Sequence, residues 1–264
     1  MQPPRGHLRF FVALLRTNLG AAIAHRGAFA TQVLFMMLNN ATFFIFWWAL
    51  LRRVPEIAGW RLADMQLLFG LIAMSFGLAV TVGGGVLHLG RLLDDGELDA
   101  LLAQPRPALL YVVGFRMQPS GPGDVLSGLL FLAWSGFVTW PTAPYLLLAL
   151  VASVVGFIAS GVVLFSLGFW VTPASGLSRQ LWELLVTFAL YPDALFGGPL
   201  RLILFTVLPA GILGFWPVRL MREPSLTHAA GLVVAVGLYA ALALTLFHRG
   251  LRRYASGSRF GTFG

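Results

Sequence analysis

The chain has 264 residues, a formal net charge of +8 and no cysteine. Apolar residues make up 58% of it and charged residues only 11%, against roughly 45–50% and 25% in ordinary soluble domains. So few charges cannot cover a water-soluble protein of this size. The charges also cluster between long uncharged stretches, as a hydrocarbon environment requires. This composition excludes a soluble enzyme and predicts a single integral membrane domain.

All 18 basic residues are arginine. A Walker A loop needs its lysine beside the nucleotide phosphates, so this chain cannot hydrolyse ATP by that mechanism. Arginine also collects in the cytoplasmic loops of membrane proteins. The positive charge therefore does not indicate nucleic-acid binding, and no nucleic-acid partner is expected.

The first predicted element, residues 1–26, is an amphipathic helix lying on the membrane surface. Arginines that include Arg9 and Arg16 recur beside an apolar stripe of helical spacing that includes Leu15. Charges spread through the whole segment argue against a cleaved signal peptide.

Two membrane spans follow, at residues 27–51 and 64–90. The stretch from Gly27 to Leu51 holds 25 uncharged residues, about 37 Å of helix, which is enough for a hydrocarbon core of about 30 Å. Asp64 is placed to cap the second span.

Residues 91–124 form the longest charged interval between spans and are expected to meet something outside the bilayer. The next 54 residues, Val125 to Ser178, carry no charge and suffice for two crossings. Spans three and four are placed at 125–140 and 144–172, with the turn at Pro141 to Pro144.

Residues 180–225 hold the fifth span and a re-entrant segment. The preferred interpretation is an interfacial helix, a span near Leu202 to Trp216 and a broken or re-entrant piece at Pro217 to Ser225. The alternative places the fifth span at Gln180 to Phe196 and makes the later piece re-entrant.

The sixth span is predicted at 226–248, followed by a basic tail at 249–264. Six crossings put both termini on one side, together with 13 of the 18 arginines, against five on the other. The arginine-rich side is predicted to be cytoplasmic.

A short amphipathic helix is predicted between Asp94 and Gln104. Asp94 or Asp95 would cap it, and Pro105 would disfavour helical geometry at Gln104. Its face of Leu98, Leu101 and Leu102 suits either a groove on a soluble partner or the lipid headgroups.

Gly121 to Asp124 match the GxGD string of intramembrane aspartyl proteases, which need two facing carboxylates. Asp193 is the other candidate and has no matching context, so Asp124 is interpreted as a helix N-cap after a turn. The predicted spans are uniformly apolar and offer no charged group for substrate recognition. No catalytic, metal or cofactor site is expected.

These features together resemble the permease subunits of type-2 ABC exporters, in the bacterial branch of paired permeases. The resemblance rests on the surface helix, the six spans, the string Gly96 to Leu102 before Pro105, and the late Tyr191-Pro192, Leu200-Arg201, Pro209 and Trp216-Pro217 patterns. It implies an all-α polytopic membrane protein with a cytoplasmic coupling helix after span two and a re-entrant segment before span six.

The resemblance also implies partners and roles. Two copies of an ABC ATPase would bind ATP and Mg²⁺, and a second permease, homologous or identical, would complete a path for a hydrophobic or amphiphilic substrate through the bacterial inner membrane. The coupling residues would be Asp95, Glu97, Leu98, Asp99, Leu101, Leu102 and Gln104. Arg9, Leu15 and Arg16 would help to clamp the same ATPase at the lipid surface. A secondary transporter or channel, and a membrane scaffold, are the alternatives.

Overall fold

The computed structural model describes residues 4–104, 107–171, 173 and 175–254, and in this part of the chain every regular element is a helix. The α-helices are α1 (Pro4–Ala24), α2 (Arg26–Arg53), α3 (Leu62–Gly83), α4 (Leu89–Asp94), α5 (Leu98–Leu102), α6 (Ala108–Gly114), α7 (Gly121–Ser135), α8 (Ala143–Ser166), α9 (Ser175–Ala189), α10 (Gly198–Thr206), α11 (Trp216–Arg222) and α12 (Leu226–Arg253). A 3₁₀ turn, Gly84–His88, joins α3 to α4, and a π-helical turn, Gly211–Phe215, leads into α11.

Four helical stretches among the described residues are long and apolar enough to cross a membrane. They are α2, the continuous run Leu62–Asp94, the run Ala143–Phe169, and α12. These confirm the all-α polytopic architecture. The predicted number of six crossings depends further on α7 and α9, whose 15 residues each make about 22 Å of helix.

Several helix ends in the structure differ from the predicted boundaries. Span three was expected to reach residue 140, but α7 ends at Ser135 because Gly136 has a φ of 74°, the left-handed cap that favours glycine. Residues 249–253 of the predicted tail instead continue α12 to Arg253. Residues 255–264 of that tail, like Pro105, lie outside the described residues.

The preferred interpretation of residues 180–225 needs correction. Leu202 to Trp216 is not one helix, because α10 and the helix Gly211–Arg222 meet at a bend of 75° beside Pro209. One face of α9 packs against the bundle: Leu185 and Ala189 are fully buried, and the Trp182 ring centroid lies 6.2 Å from that of Phe157 in α8, whereas Leu177 and Leu184 on the other face are exposed. Whether α9 crosses the membrane, as in the alternative interpretation, stays a prediction.

The centre of the bundle is α3, which packs closely against α7. A Cβ atom at Gly77 would lie 2.6 Å from the Gly121 carbonyl oxygen, and one at Gly128 would lie 2.5 Å from the Met74 backbone nitrogen. Small residues permit this approach in a membrane, where van der Waals packing between helices replaces the hydrophobic effect. Ser75, Ala79 and Gly83 follow the four-residue spacing of small residues that is typical of closely packed membrane helices, and all three are buried.

We expect Gly128→Ala to destabilise the protein by about 1–3 kcal/mol, because the new methyl group has no room against the Met74 backbone. The measurement is thermal unfolding of the purified chain in detergent.

The control is Gly237→Ala in α12, where a Cβ meets nothing within 4 Å. Alanine is favoured over glycine in a helix by about 1 kcal/mol, so this variant should be neutral or stabilised. If Gly128→Ala and Gly237→Ala changed the unfolding temperature in the same direction, the tight contact between α3 and α7 would be contradicted.

Candidate functional site

The predicted coupling segment forms two short helices with several exposed side chains. The helix α4 ends at Asp94, α5 covers Leu98–Leu102, and the left-handed Gly96, with a φ of 73°, turns the chain between them. The exposed residues are Asp95, Glu97, Ala100, Leu102, Ala103 and Gln104, while Asp99 and Leu101 are half-buried.

The predicted docking face was wrong at Leu98. Its exposure is 0%, and it belongs to the buried core of the protein, whereas Leu102 is 36% exposed. Leu98 therefore anchors α5 to the membrane domain and cannot be part of a face offered to a partner. Leu102 remains as the large apolar side chain at the tip of the segment.

The predicted cap is corrected as well. No side chain caps α5, whose preceding residue is Glu97. Instead, a carboxylate oxygen of Asp94 accepts a hydrogen bond of 3.3 Å from the backbone N–H of Ser175, the first residue of α9. A Cβ at Gly90 would lie 3.0 Å from the Ser175 Cα, so α4 and the start of α9 are in direct contact. No local sequence pattern indicates this pairing, which joins residues 81 positions apart.

The N-terminal helix α1 is fixed to the following part of the same region. The Asn18 side-chain amide donates a 2.8 Å hydrogen bond to the Gly114 carbonyl of α6, and the Phe10 ring centroid lies 5.8 Å from that of Tyr111. Arg9 and Arg16 are exposed and Leu15 is half-buried.

A cavity of about 530 Å³ lies at the other end of α9, between α2, α3, α7 and α9. Its walls are mainly apolar and aromatic, and include Phe43, Phe46, Trp47, Phe69 and Phe76. The polar side chains that line it are Asn39, Asn40, Thr42, Asp124, Thr187 and Tyr191.

Asp124 is not the N-cap that the sequence suggested. It lies inside α7, is 3% exposed, and accepts a 2.8 Å hydrogen bond from the Asn40 side chain of α2 through Oδ1. Asp193 lines a different cavity and is paired with Arg201 at 3.4 Å. The two carboxylates do not face one another, so the geometry offers no aspartyl protease dyad.

The cavity that includes Asp193 has a volume of about 510 Å³ and is charged. Both arms of the bent pair line it, through Arg201 and Phe205 of α10 and through Arg219 and Arg222 of α11. Arg222 also approaches the buried Asp64 at 3.3 Å, which ties α11 to the start of α3.

Comparison with known families decides the wider identity of the molecule. The family described as "ABC-2 family transporter protein" matches residues 37–258, most of the chain. The chain belongs to the ABC-2 transporter family. It is therefore a multi-pass ABC-2 permease, and permeases of this family are not themselves catalytic. No curated protein and no solved structure gave a match.

The matched region of this ABC-2 permease includes the predicted coupling segment, the bent helix pair and the aromatic cavity except for Met36, and excludes α1. The match favours a transport subunit over the secondary transporter, channel and scaffold alternatives. It does not name a substrate.

Leu98→Ala should lower the free energy of unfolding by about 2–5 kcal/mol, because truncation of a fully buried leucine leaves a cavity. Leu102→Ala should change it by no more than about 0.5 kcal/mol, as for an ordinary surface substitution. Denaturation of the two purified variants side by side measures the difference. Equal losses of unfolding free energy in the two variants would show that Leu98 is no more important for anchoring the segment than the exposed Leu102.

Proposed function

We propose that this permease forms, with a second homologous or identical permease, the path of an ABC exporter for a hydrophobic or amphiphilic substrate. Two copies of a separate ATPase subunit would drive it and would hold the ATP and Mg²⁺. Family membership supports the transport role, and the segment Asp95 to Gln104, anchored by the buried Leu98 and otherwise largely exposed, supports the coupling role.

The proposed topology has six crossings: α2, the run Leu62–Asp94, α7, α8, α9 and α12. One end of α9 lies beside Asp94, and Tyr191, just beyond its other end, lies with its ring centroid 5.7 Å from that of Trp47 in α2. Both arms of the bent pair flank the cavity that also includes Trp60, which favours a segment that enters and leaves on one side.

In this topology both termini are cytoplasmic, and the protein lies in the bacterial inner membrane. Arg201 moves to the outer side relative to the topology first predicted, so the arginine count becomes 12 inside and six outside. The bias still favours a cytoplasmic location for the coupling segment.

Single-cysteine labelling tests the topology without removal of any native cysteine, because the chain has none. With a membrane-impermeant maleimide on intact cells, Gly197→Cys should react, as should the exposed outer control Arg53→Cys. Gln104→Cys should react only after the cells are permeabilised. If Gly197→Cys behaves like Gln104→Cys, α9 does not cross the membrane.

The buried Leu98 and the Asp94–Ser175 hydrogen bond carry the coupling proposal. A projecting loop transmits force only where it is fixed to the helices that must move, and these two contacts fix the segment to the core and to α9. The exposed tip is acidic and carries Leu102, a combination suited to a partner groove with an apolar floor. Closure of the ATPase around bound ATP would move this segment, and differential binding of the ATPase to two permease states would couple the steps. Arg9 and Arg16 on α1 would add contacts to the same ATPase.

Leu102→Asp should abolish co-purification of the ATPase subunit while the permease remains folded, because a charge replaces the apolar tip of the docking surface. ATPase recovered per permease after affinity purification is the measurement.

The matched control is Leu226→Asp, the same substitution at a leucine that is 80% exposed at the start of α12. This control should retain the ATPase. Normal ATPase recovery with Leu102→Asp, in a variant with unchanged thermal stability, would refute a docking role for the segment.

A further inference from the structure

The aromatic cavity between α2, α3, α7 and α9 holds a buried carboxylate oxygen without a partner. Asp124 Oδ2 has no hydrogen-bond partner in the structure, whereas Oδ1 is bound by Asn40. Among the residues that the structure describes, no basic side chain forms an ion pair with Asp124. A buried polar group left unsatisfied has a substantial free-energy cost, so this oxygen favours a ligand that brings a donor or a positive charge.

The Asp124 carboxylate does not cap its own helix. An acid in the first turn can stabilise a helix by capping it, but α7 has no side-chain cap hydrogen bond, and the Asp124 carboxylate bonds across to α2 instead. Its backbone is held against α3, since a Cβ at Gly77 would lie 2.7 Å from the Asp124 Cβ. The packing of three helices thus keeps the carboxylate on the cavity wall.

The rest of the wall suits the same kind of ligand. Phe43, Phe46, Trp47, Phe69 and Phe76 line the cavity, and the faces of aromatic rings attract cations, including quaternary ammonium groups. The volume of about 530 Å³ lies in the range of sites for drug-sized molecules. An anionic headgroup would meet the carboxylate with like charge, and a neutral lipid tail would leave its free oxygen unsatisfied.

We propose that this cavity binds the cationic group of an amphiphile that carries an amine or quaternary ammonium, with Asp124 as its counter-ion and the aromatic rings around its apolar body. The proposal deepens the export function above and rests on it for the statement that such an amphiphile is the transported substrate. Asn40 orients the carboxylate through Oδ1 and leaves Oδ2 for the ligand.

Two probes that differ in charge test the site. Both have an eleven-carbon chain with a bromine at its end, and one carries a trimethylammonium group where the other carries a hydroxyl. Bromine quenches tryptophan fluorescence, and Trp47 lies in the cavity wall, so quenching of the full-length permease in neutral lipid nanodiscs reports binding. Trp47→Phe should remove most of the saturable quenching if the probes occupy this cavity. Unchanged saturable quenching in Trp47→Phe would overturn the location.

Asp124→Asn should weaken ammonium binding at least about tenfold and leave alcohol binding within about twofold, since it removes charge and little volume. The amide oxygen that Asp124→Asn introduces can still accept from Asn40, whereas Asn40→Ala removes the hydrogen bond between α2 and α7 and keeps the carboxylate. Asn40→Ala should therefore retain the preference for ammonium over alcohol. A purely structural role for the pair predicts the opposite, a larger loss of binding in Asn40→Ala than in Asp124→Asn with no dependence on probe charge. That result, or ammonium binding unchanged in Asp124→Asn, would overturn the proposal.

Two further measurements keep the test decisive. If Asp124→Asn does not fold, the unsubstituted protein must still prefer ammonium to alcohol, and Asp124→Glu must preserve that preference; failure of either overturns the site.

ATPase co-purification is followed separately. Charge-dependent binding without an ATPase partner supports the site and refutes the exporter, whereas an ATPase partner without charge-dependent binding refutes the site alone.

Discussion

The contact between α3 and α7 is the constraint on which the rest of the molecule depends. At Gly77, Gly121 and Gly128 the two helices approach so closely that a Cβ atom added at any of these three positions would overlap atoms of the other helix. In hydrocarbon this close packing replaces the hydrophobic drive that would join helices in water. The same contact holds the beginning of α7 in place, and with it the orientation of Asp124 toward α2. A loosened α3–α7 pair would therefore alter the cavity as well as the stability.

The long spans could be predicted from the sequence because hydrocarbon imposes a simple rule on charge. The uncharged run from Gly27 to Leu51 became α2 with boundaries within two residues. Of the predicted Pro141 to Pro144 turn, only Pro141 and Thr142 lie between α7 and α8, because α8 begins at Ala143. The fifth span was harder to predict, since Leu202 to Trp216 is as apolar as a crossing helix. Its break depends on how Pro209, Gly211 and Gly214 pack, which composition does not reveal.

The environments of the coupling segment and of Asp124 could not be predicted from local sequence either. Leucines on one face of a two-turn helix indicate that this face is covered. They do not show whether it is covered by another protein or by the rest of the same chain. Leu98 turned inward and Leu102 outward, and only tertiary structure separates them. Asp124 follows the string Gly-Pro-Gly, so local sequence favoured a cap, while the decisive partner, Asn40, is 84 residues away in the sequence. A hydrogen bond between spans leaves no local pattern in one sequence.

The Asp94–Ser175 hydrogen bond joins the segment Asp95 to Gln104 to the first residue of α9, and Val186, Thr187 and Leu190 near the other end of α9 line the aromatic cavity. Thermodynamic linkage between two binding sites is reciprocal, so a molecule in the cavity that prefers one position of α9 changes the affinity for a partner at the Asp94 end by the same factor as the partner changes its own. In the proposed exporter, a compound that filled the cavity would thus alter how tightly the ATPase is held, without any contact with the ATPase.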